Sequence, residues 1–113
     1  KLLAEFIEFC EYLNLDALVE AHDEAEVEIA LDSGAKMVGI NQRDLKTFEV
    51  DQRRALRVVN EIPEHIAKVA ESGISSPTDA EPLKAAGFDA VLIGESLVKS
   101  DSPDELVIQF RNL

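Results

Sequence analysis

Two kinds of hydrophobic grouping alternate along the chain: stretches with apolar residues every three or four positions, and short, nearly continuous apolar runs. Helices and buried strands are therefore expected in turn. The first stretch, "KLLAEFIEFCEYL", sets Leu3, Phe6, Ile7, Cys10 and Leu13 at helical spacing. "DALVEAHD" then reads as a strand from about Ala17 to Ala21, with Glu20 near its carboxyl end. Asp23 followed by Glu26 is a capping-box pattern; Val27, Ala30 and Leu31 share a helical face, and Gly34 supplies the stop. "KMVGIN" is the second strand and "QRDLKTFEVD" a polar loop, leading to a helix with Leu56, Val59 and Ile62 on one face and Pro63 at its end.

"AKVAES" forms the third strand. Ser76 and Pro77 then signal a helix start, with Asp79 at the third helical position and Gly87 beyond the end. "AVLIG" is the fourth strand, and a final helix begins at Ser102 and Pro103, with Glu105 in its first turn and Leu106, Val107 and Phe110 facing inward. The order is one helix followed by four βα units. A weak repeat, "AEVEIALDSGAKMVGI" against "AEPLKAAGFDAVLIG", suggests duplicated units.

Strands of Val, Ile, Leu and Ala separated by helices point to an α/β fold, a parallel sheet covered by helices. An open doubly wound sheet and a barrel both fit that pattern. Polar strand ends decide for the barrel, whose site lies at the carboxyl ends of its strands. Here those ends carry Glu20 and His22, Asn41 and Arg43, and Glu71 and Ser72.

Composition narrows the partners. At 113 residues, 46% hydrophobic and 30% charged, residues 1–113 make one domain of ordinary globular character. A net charge of -12 argues against nucleic acid, which needs clustered Lys and Arg. A small anion is still admissible, because backbone N–H groups hold phosphate locally. The single cysteine, Cys10, allows no internal disulfide and reads as core; with no signal-like or membrane-spanning run, a cytoplasmic location is expected. The sequence opens at Lys1, already inside a helical pattern, so a natural start is not expected there. His22 and His65 lack metal-ligand spacing, so no metal site is expected.

Several polar residues stand out, each with a plainer alternative. Glu20, a carboxylate in an apolar strand, suits proton transfer if buried, or simply reaches water at a strand end. Asn41 offers donors and an acceptor to a substrate, or serves as a turn residue. Arg43 clamps an anion, or is a solvated charge or a partner for Asp44. Glu71 and Ser72 are adjacent, so on an extended strand they face opposite sides. Gly73 and Gly94 permit close backbone approach to a phosphate, with "GESL" beginning a short helix, or they merely turn the chain out of a strand. Beside a phosphate, Glu95 helps only through its amide.

The segments "LVEAHD", "GINQRDLKTFEVD", "VAESGIS" and "LIGESLVK", in this order and spacing, resemble the indole-3-glycerol-phosphate synthases of tryptophan biosynthesis, and the likeness covers nearly the whole chain. The resemblance implies a TIM (β/α)8 barrel that converts 1-(2-carboxyphenylamino)-1-deoxyribulose 5-phosphate to indole-3-glycerol phosphate, releasing carbon dioxide and water without a cofactor. This chain would be its C-terminal half, helix 4 plus βα units 5 to 8; a full barrel needs about 250 residues. By the same resemblance Glu20 is the catalytic glutamate, Asn41 orients substrate and Glu71 supports acid–base chemistry. Arg43 and Ser72 touch substrate, and Gly73, Gly94 and Glu95 hold its phosphate.

The family's proton-donating lysine belongs to strand three, with a glutamate and a lysine associated with strand one, and none of these strands is present. Lys46, Lys68 and Lys99 match none of those positions, Lys68 falling in the lower half of its strand. The chain alone is therefore expected to be inactive, and to pair with an N-terminal half-barrel or to self-associate through its open face. The competing readings are a non-catalytic half-barrel module and another phosphate-binding barrel lyase or isomerase, against which "GINQRDLKTFEVD" speaks.

Overall fold

A computed structural model describes residues 1–113. Helix α1 (Leu2–Tyr12) precedes four βα units: β1 (Val19–Ala21) with α2 (Glu24–Asp32), β2 (Met37–Asn41) with α3 (Arg54–Val58), β3 (Ala67–Glu71) with α4 (Pro77–Ala85), and β4 (Ala90–Leu92) with α5 (Glu95–Lys99) and α6 (Pro103–Arg111). All pairings are parallel, in the order β1-β2-β3-β4, so each strand lies beside the next in sequence. Consecutive order with a helix after every strand is the arrangement of half a β/α barrel.

Register sorts the strand residues into two faces. Val19, Ala21, Val38, Ile40 and Ala70 turn toward the helices and are buried with Val27, Ala30, Val58, Val59, Ala80 and Leu83. Removing each Val, Ile or Leu side chain from water contributes about 1.5–3 kcal/mol, so this one-sided core holds the sheet to its helices. Leu18, Glu20, Met37, Gly39, Asn41, Ala67, Val69, Glu71, Ala90 and Leu92 occupy the other face. That inner face is open: Leu18 is 39% and Leu92 53% exposed.

The helix starts follow local chemistry. Asp23 Oδ1 accepts the Glu26 N–H at 2.8 Å, capping α2. Glu26 does not reach back to the cap residue; its carboxylate takes the His22 N–H at 2.7 Å instead. At α4 a full capping box forms, and one Asp79 oxygen accepts the N–H groups of Ser75 and Ser76 at 2.9 and 3.1 Å. Those bonds hold the Asp79 carboxyl below its usual range, Ser75 contributing most.

Some expectations are corrected. β1 begins at Val19 rather than Ala17, because an edge strand pairs only where β2 runs beside it. The third helix tightens after Val58 into a 3₁₀ turn over Val59–Glu61, which still buries Val59 and Ile62. No residue of α6 is fully buried, and Val107 is 41% exposed, although Phe110 packs against the core. Of the apolar residues assigned to the first helix only Ile7 is buried, and Cys10 is half-buried, since the far face of α1 has nothing against it in this chain.

Lys68 faces the helix layer between the buried Val38 and Ala70. Its Nζ donates to the carbonyls of Pro63 and Ile66 at 3.0 Å each and of Glu64 at 3.4 Å. These satisfy a buried ammonium at the lower end of β3, away from the strand carboxyl ends. No helix is long and apolar enough to cross a membrane.

Candidate active site

The carboxyl ends of the strands set the inner-face residues side by side. Register places Glu20 beside Gly39, and Asn41 beside Glu71. Gly39 has no side chain, and the Glu71 carboxylate fills the space where a Cβ would stand, with Leu18 against the same spot. Glu71 is thereby 5% exposed while close to Glu20. Burial, and then the neighbouring Glu20 carboxylate, push the Glu71 pKa up to about 7.

Asn41 fixes the other half of this pair. Its Nδ2 donates to Glu20 Oε1 at 3.0 Å, while its Oδ1 accepts the Arg43 N–H at 2.9 Å. Both ends of the amide are engaged, so the group cannot flip without losing both bonds. Glu20 itself is half exposed toward the cleft, its side chain 43% accessible. His22, two residues on, takes its orientation from Glu26, 2.9 Å from Nδ1, and brings Nε2 to 4.0 Å from Glu20.

Arg43 extends across the cleft rather than toward its sequence neighbour. Its Nη2 lies 3.2 Å from Glu95 Oε2, and Lys99 Nζ lies 2.6 Å from Glu95 Oε1. Lys99 first, then Arg43, hold the Glu95 carboxyl below its usual range. Asp44, the alternative partner, accepts the N–H groups of Lys46 and Thr47 within its own loop. Gly94 has open space around its Cα, and the N–H groups of Glu95 and Ser96 at the start of α5 have no protein acceptor.

The third rim segment departs from the strand at once. Ser72 and Gly73 take φ of +66° and +70°, which only glycine adopts freely. Extended alternation therefore stops at Glu71, and both Glu71 and Ser72 line the same cleft, contrary to the opposite-face expectation. Gly73 is also required sterically, because a Cβ there would strike Val50 Cγ1. Gln42, 1% exposed, donates Nε2 to Ser72 O at 2.9 Å, and Gln52 donates Nε2 to Gly73 O at 3.0 Å.

Together these segments surround a cleft of about 1060 Å³. Glu20, Asn41, Arg43, Glu71, Ser72, Gly73, Gly94 and Glu95 all line it, so every site residue expected from sequence is brought to one place. Lys99 lines it as well. No group of three or more His, Cys, Asp or Glu side chains converges on a metal position. Sequence reasoning missed Gln42 and Gln52, whose carboxamides act across 30 and 21 residues, and the placement of His22 against Glu20. Gln42's position after the last buried residue of β2 was the one available signal.

A parallel sheet with consecutive strand order, a helix after each strand, and acidic, amide and guanidinium groups gathered at its carboxyl rim is part of a β/α-barrel protein. Solved structures share this architecture: thiamine phosphate pyrophosphorylase from Pyrococcus furiosus superposes with a TM-score of 0.78 at 17% identity, over 97% of this chain and 52% of that one. A structure titled "Native KDPGal structure" gives 0.71 at 18% identity, over 96% and 52%. A sequence model of indole-3-glycerol phosphate synthase matches residues 1–110, and the chain belongs to that family. It is 52% identical to the indole-3-glycerol phosphate synthase of Streptomyces griseus over 89% of this chain and 38% of the relative. For that of Lacticaseibacillus casei the identity is 46%, over 96% and 42%. The chain thus spans about two fifths of the length of these relatives.

Proposed function

We propose that this chain is the C-terminal half of an indole-3-glycerol-phosphate synthase barrel. The complete protein would close the ring of 1-(2-carboxyphenylamino)-1-deoxyribulose 5-phosphate with loss of carbon dioxide and water, as part of cytoplasmic tryptophan biosynthesis. The observation that carries this reading is the carboxyl pair: Glu71, with a pKa of about 7, lies against the more exposed Glu20, which is held by Asn41. A buried carboxyl whose pKa is raised toward neutrality, set beside a second carboxyl that reaches the cleft, can give and take protons at neutral pH.

In this proposal Glu20 moves protons during ring closure and dehydration, Asn41 orients it and the substrate hydroxyls, and Glu71 acts as the supporting acid–base group. Ser72 and Arg43 bind substrate, Arg43 exchanging Glu95 for a substrate anion. Backbone amides around Gly73, Gly94 and Glu95 receive the phosphate. Lys68, sealed on the helix side, cannot supply the proton-donating lysine, which must come from the N-terminal half. Purified alone and given the substrate, the chain should form no indole product, whereas the chain completed with an N-terminal half should do so. Turnover by the chain alone would refute the division of labour.

A second reading, a non-catalytic half-barrel that pairs with its own copy, is favoured by the open inner face with Leu18 and Leu92 exposed. Sedimentation separates the two: a stable dimer that persists when the N-terminal half is supplied supports the second reading, and displacement by that half supports the first.

A further inference from the structure

We infer that Gln42 and Gln52 are positioning residues that aim the backbone amides of Gly73 and Ile74 into the cleft to receive the anionic phosphate end of a substrate. The inference rests on the proposed phosphate role of the Gly73 rim and adds the device that sets its geometry.

The argument begins with the peptide unit. In a trans peptide the C=O of one residue and the N–H of the next point in opposite directions within one plane. A bond that fixes Ser72 O therefore fixes the direction of the Gly73 N–H, and one that fixes Gly73 O fixes that of Ile74. Gln42 Nε2 holds the first carbonyl at 2.9 Å and Gln52 Nε2 the second at 3.0 Å.

Both carboxamides come from the same side. They stand at the two ends of the segment 42–52, which is tied to itself by an antiparallel bridge between Arg43 and Val50 and by the Asp51 N–H donating to Gln42 O at 2.8 Å. The segment is tied to β3 by the Gln42 N–H on Glu71 O at 3.0 Å, and Val50 fills the space beside Gly73. With both carbonyls drawn toward this strap, the two amides face away from it.

Those amides are free. Neither the Gly73 nor the Ile74 N–H has an acceptor within the protein, although Ile74 is 4% exposed, while the next two N–H groups, of Ser75 and Ser76, are taken by Asp79. Buried or rim N–H groups left unpaired need a partner. Gly73 and Ile74 both line the cleft, so an anion there would supply one. The left-handed φ values of Ser72 and Gly73 create this turn, and the glutamines keep it from relaxing to an extended form that would carry the carbonyls inward.

The test uses the full-length enzyme that contains this chain, with Gln52→Met, Gln52→Glu and Gln42→Met. Gln52 is exposed, so its variants fold whatever the cost at the buried Gln42. KM for the phosphorylated substrate and the inhibition constant for inorganic phosphate should both rise about five- to tenfold, as expected for loss of one positioned hydrogen bond, with kcat within about twofold. Gln52→Asn, which retains the donor, should recover part of the loss. A lowered thermal midpoint with KM and phosphate inhibition unchanged would make the glutamines structural and overturn the inference, as would loss confined to kcat. A wild-type enzyme that turns over the substrate without inhibition by inorganic phosphate would instead overturn the proposed phosphate role of the Gly73 rim, and this inference with it.

Discussion

Replacing Glu71 by Gln keeps the size of the side chain and removes its titration, which makes the buried carboxyl measurable as a stability. Glu71 rises from an ordinary 4.5 to about 7, with burial the larger cause and Glu20 the second. Between those values the folded chain keeps a proton that the unfolded chain has released. Its contribution is fully present below pH 4.5 and is lost as pH rises through 7. The shift corresponds to about 3 kcal/mol. Because Glu20 is 43% exposed and water screens part of the repulsion, about 2 kcal/mol is the expected loss.

Urea unfolding followed by far-ultraviolet circular dichroism at pH 5 and pH 8, at one protein concentration, reads this directly. Wild type and Glu71→Gln should be nearly equal at pH 5, and the variant more stable by about 2 kcal/mol at pH 8. Asp44, Asp51 and Asp79 are held below 3.8, so their stabilisation is present above that value and is lost only as pH falls through their folded values. They act below the window and cancel in the comparison. A difference between variant and wild type that is the same at both pH values would refute the placement of Glu71 over Gly39 and beside Glu20.

Other expected outcomes are simpler to obtain. Glu95→Gln releases Arg43 and Lys99 from a carboxylate, so inorganic phosphate should compete with substrate about two- to fivefold more strongly in the full-length enzyme, an effect that shrinks with added salt. Gly39→Ala drives a methyl into the Glu71 carboxylate, and kcat of the full-length enzyme should fall on the order of a hundredfold, because misplacement of a reacting group by about 1 Å has that cost. Asp23→Ala removes the α2 cap and should destabilise the chain by about 1 kcal/mol in urea titrations, with no change in the pH dependence assigned to Glu71.

The βα order was legible because each helix carries its own start and stop, as at Asp23 and Gly34 or Ser76 and Asp79, and each strand is an apolar run. Boundaries were less so: neither Gly94 nor Ser72 belongs to a strand, since pairing with a neighbour, rather than composition, ends each one. The polar residues at the strand ends were legible as candidates, and Glu20, Asn41, Arg43, Glu71 and Ser72 line one cleft while His22 lies outside it. The geometry within it was not. Arg43 finds Glu95 across 52 residues, and nothing local to Gly39 announces that a carboxylate from the neighbouring strand lies over it. The burial of α6 and Cys10 was overestimated for a related reason: periodicity reports which face is apolar, while exposure depends on whether a partner is there to cover it.

The notch at Gly39 ties two positions together for any redesign or recombination of this barrel. A side chain at 39 displaces the Glu71 carboxylate from the place it now fills, and a shorter residue at 71 leaves a hole that a side chain at 39 could fill. The two positions, on neighbouring strands with 31 intervening residues, should therefore vary as a unit, and a crossover placed between them joins matching cleft floors only where both parents carry the same pair.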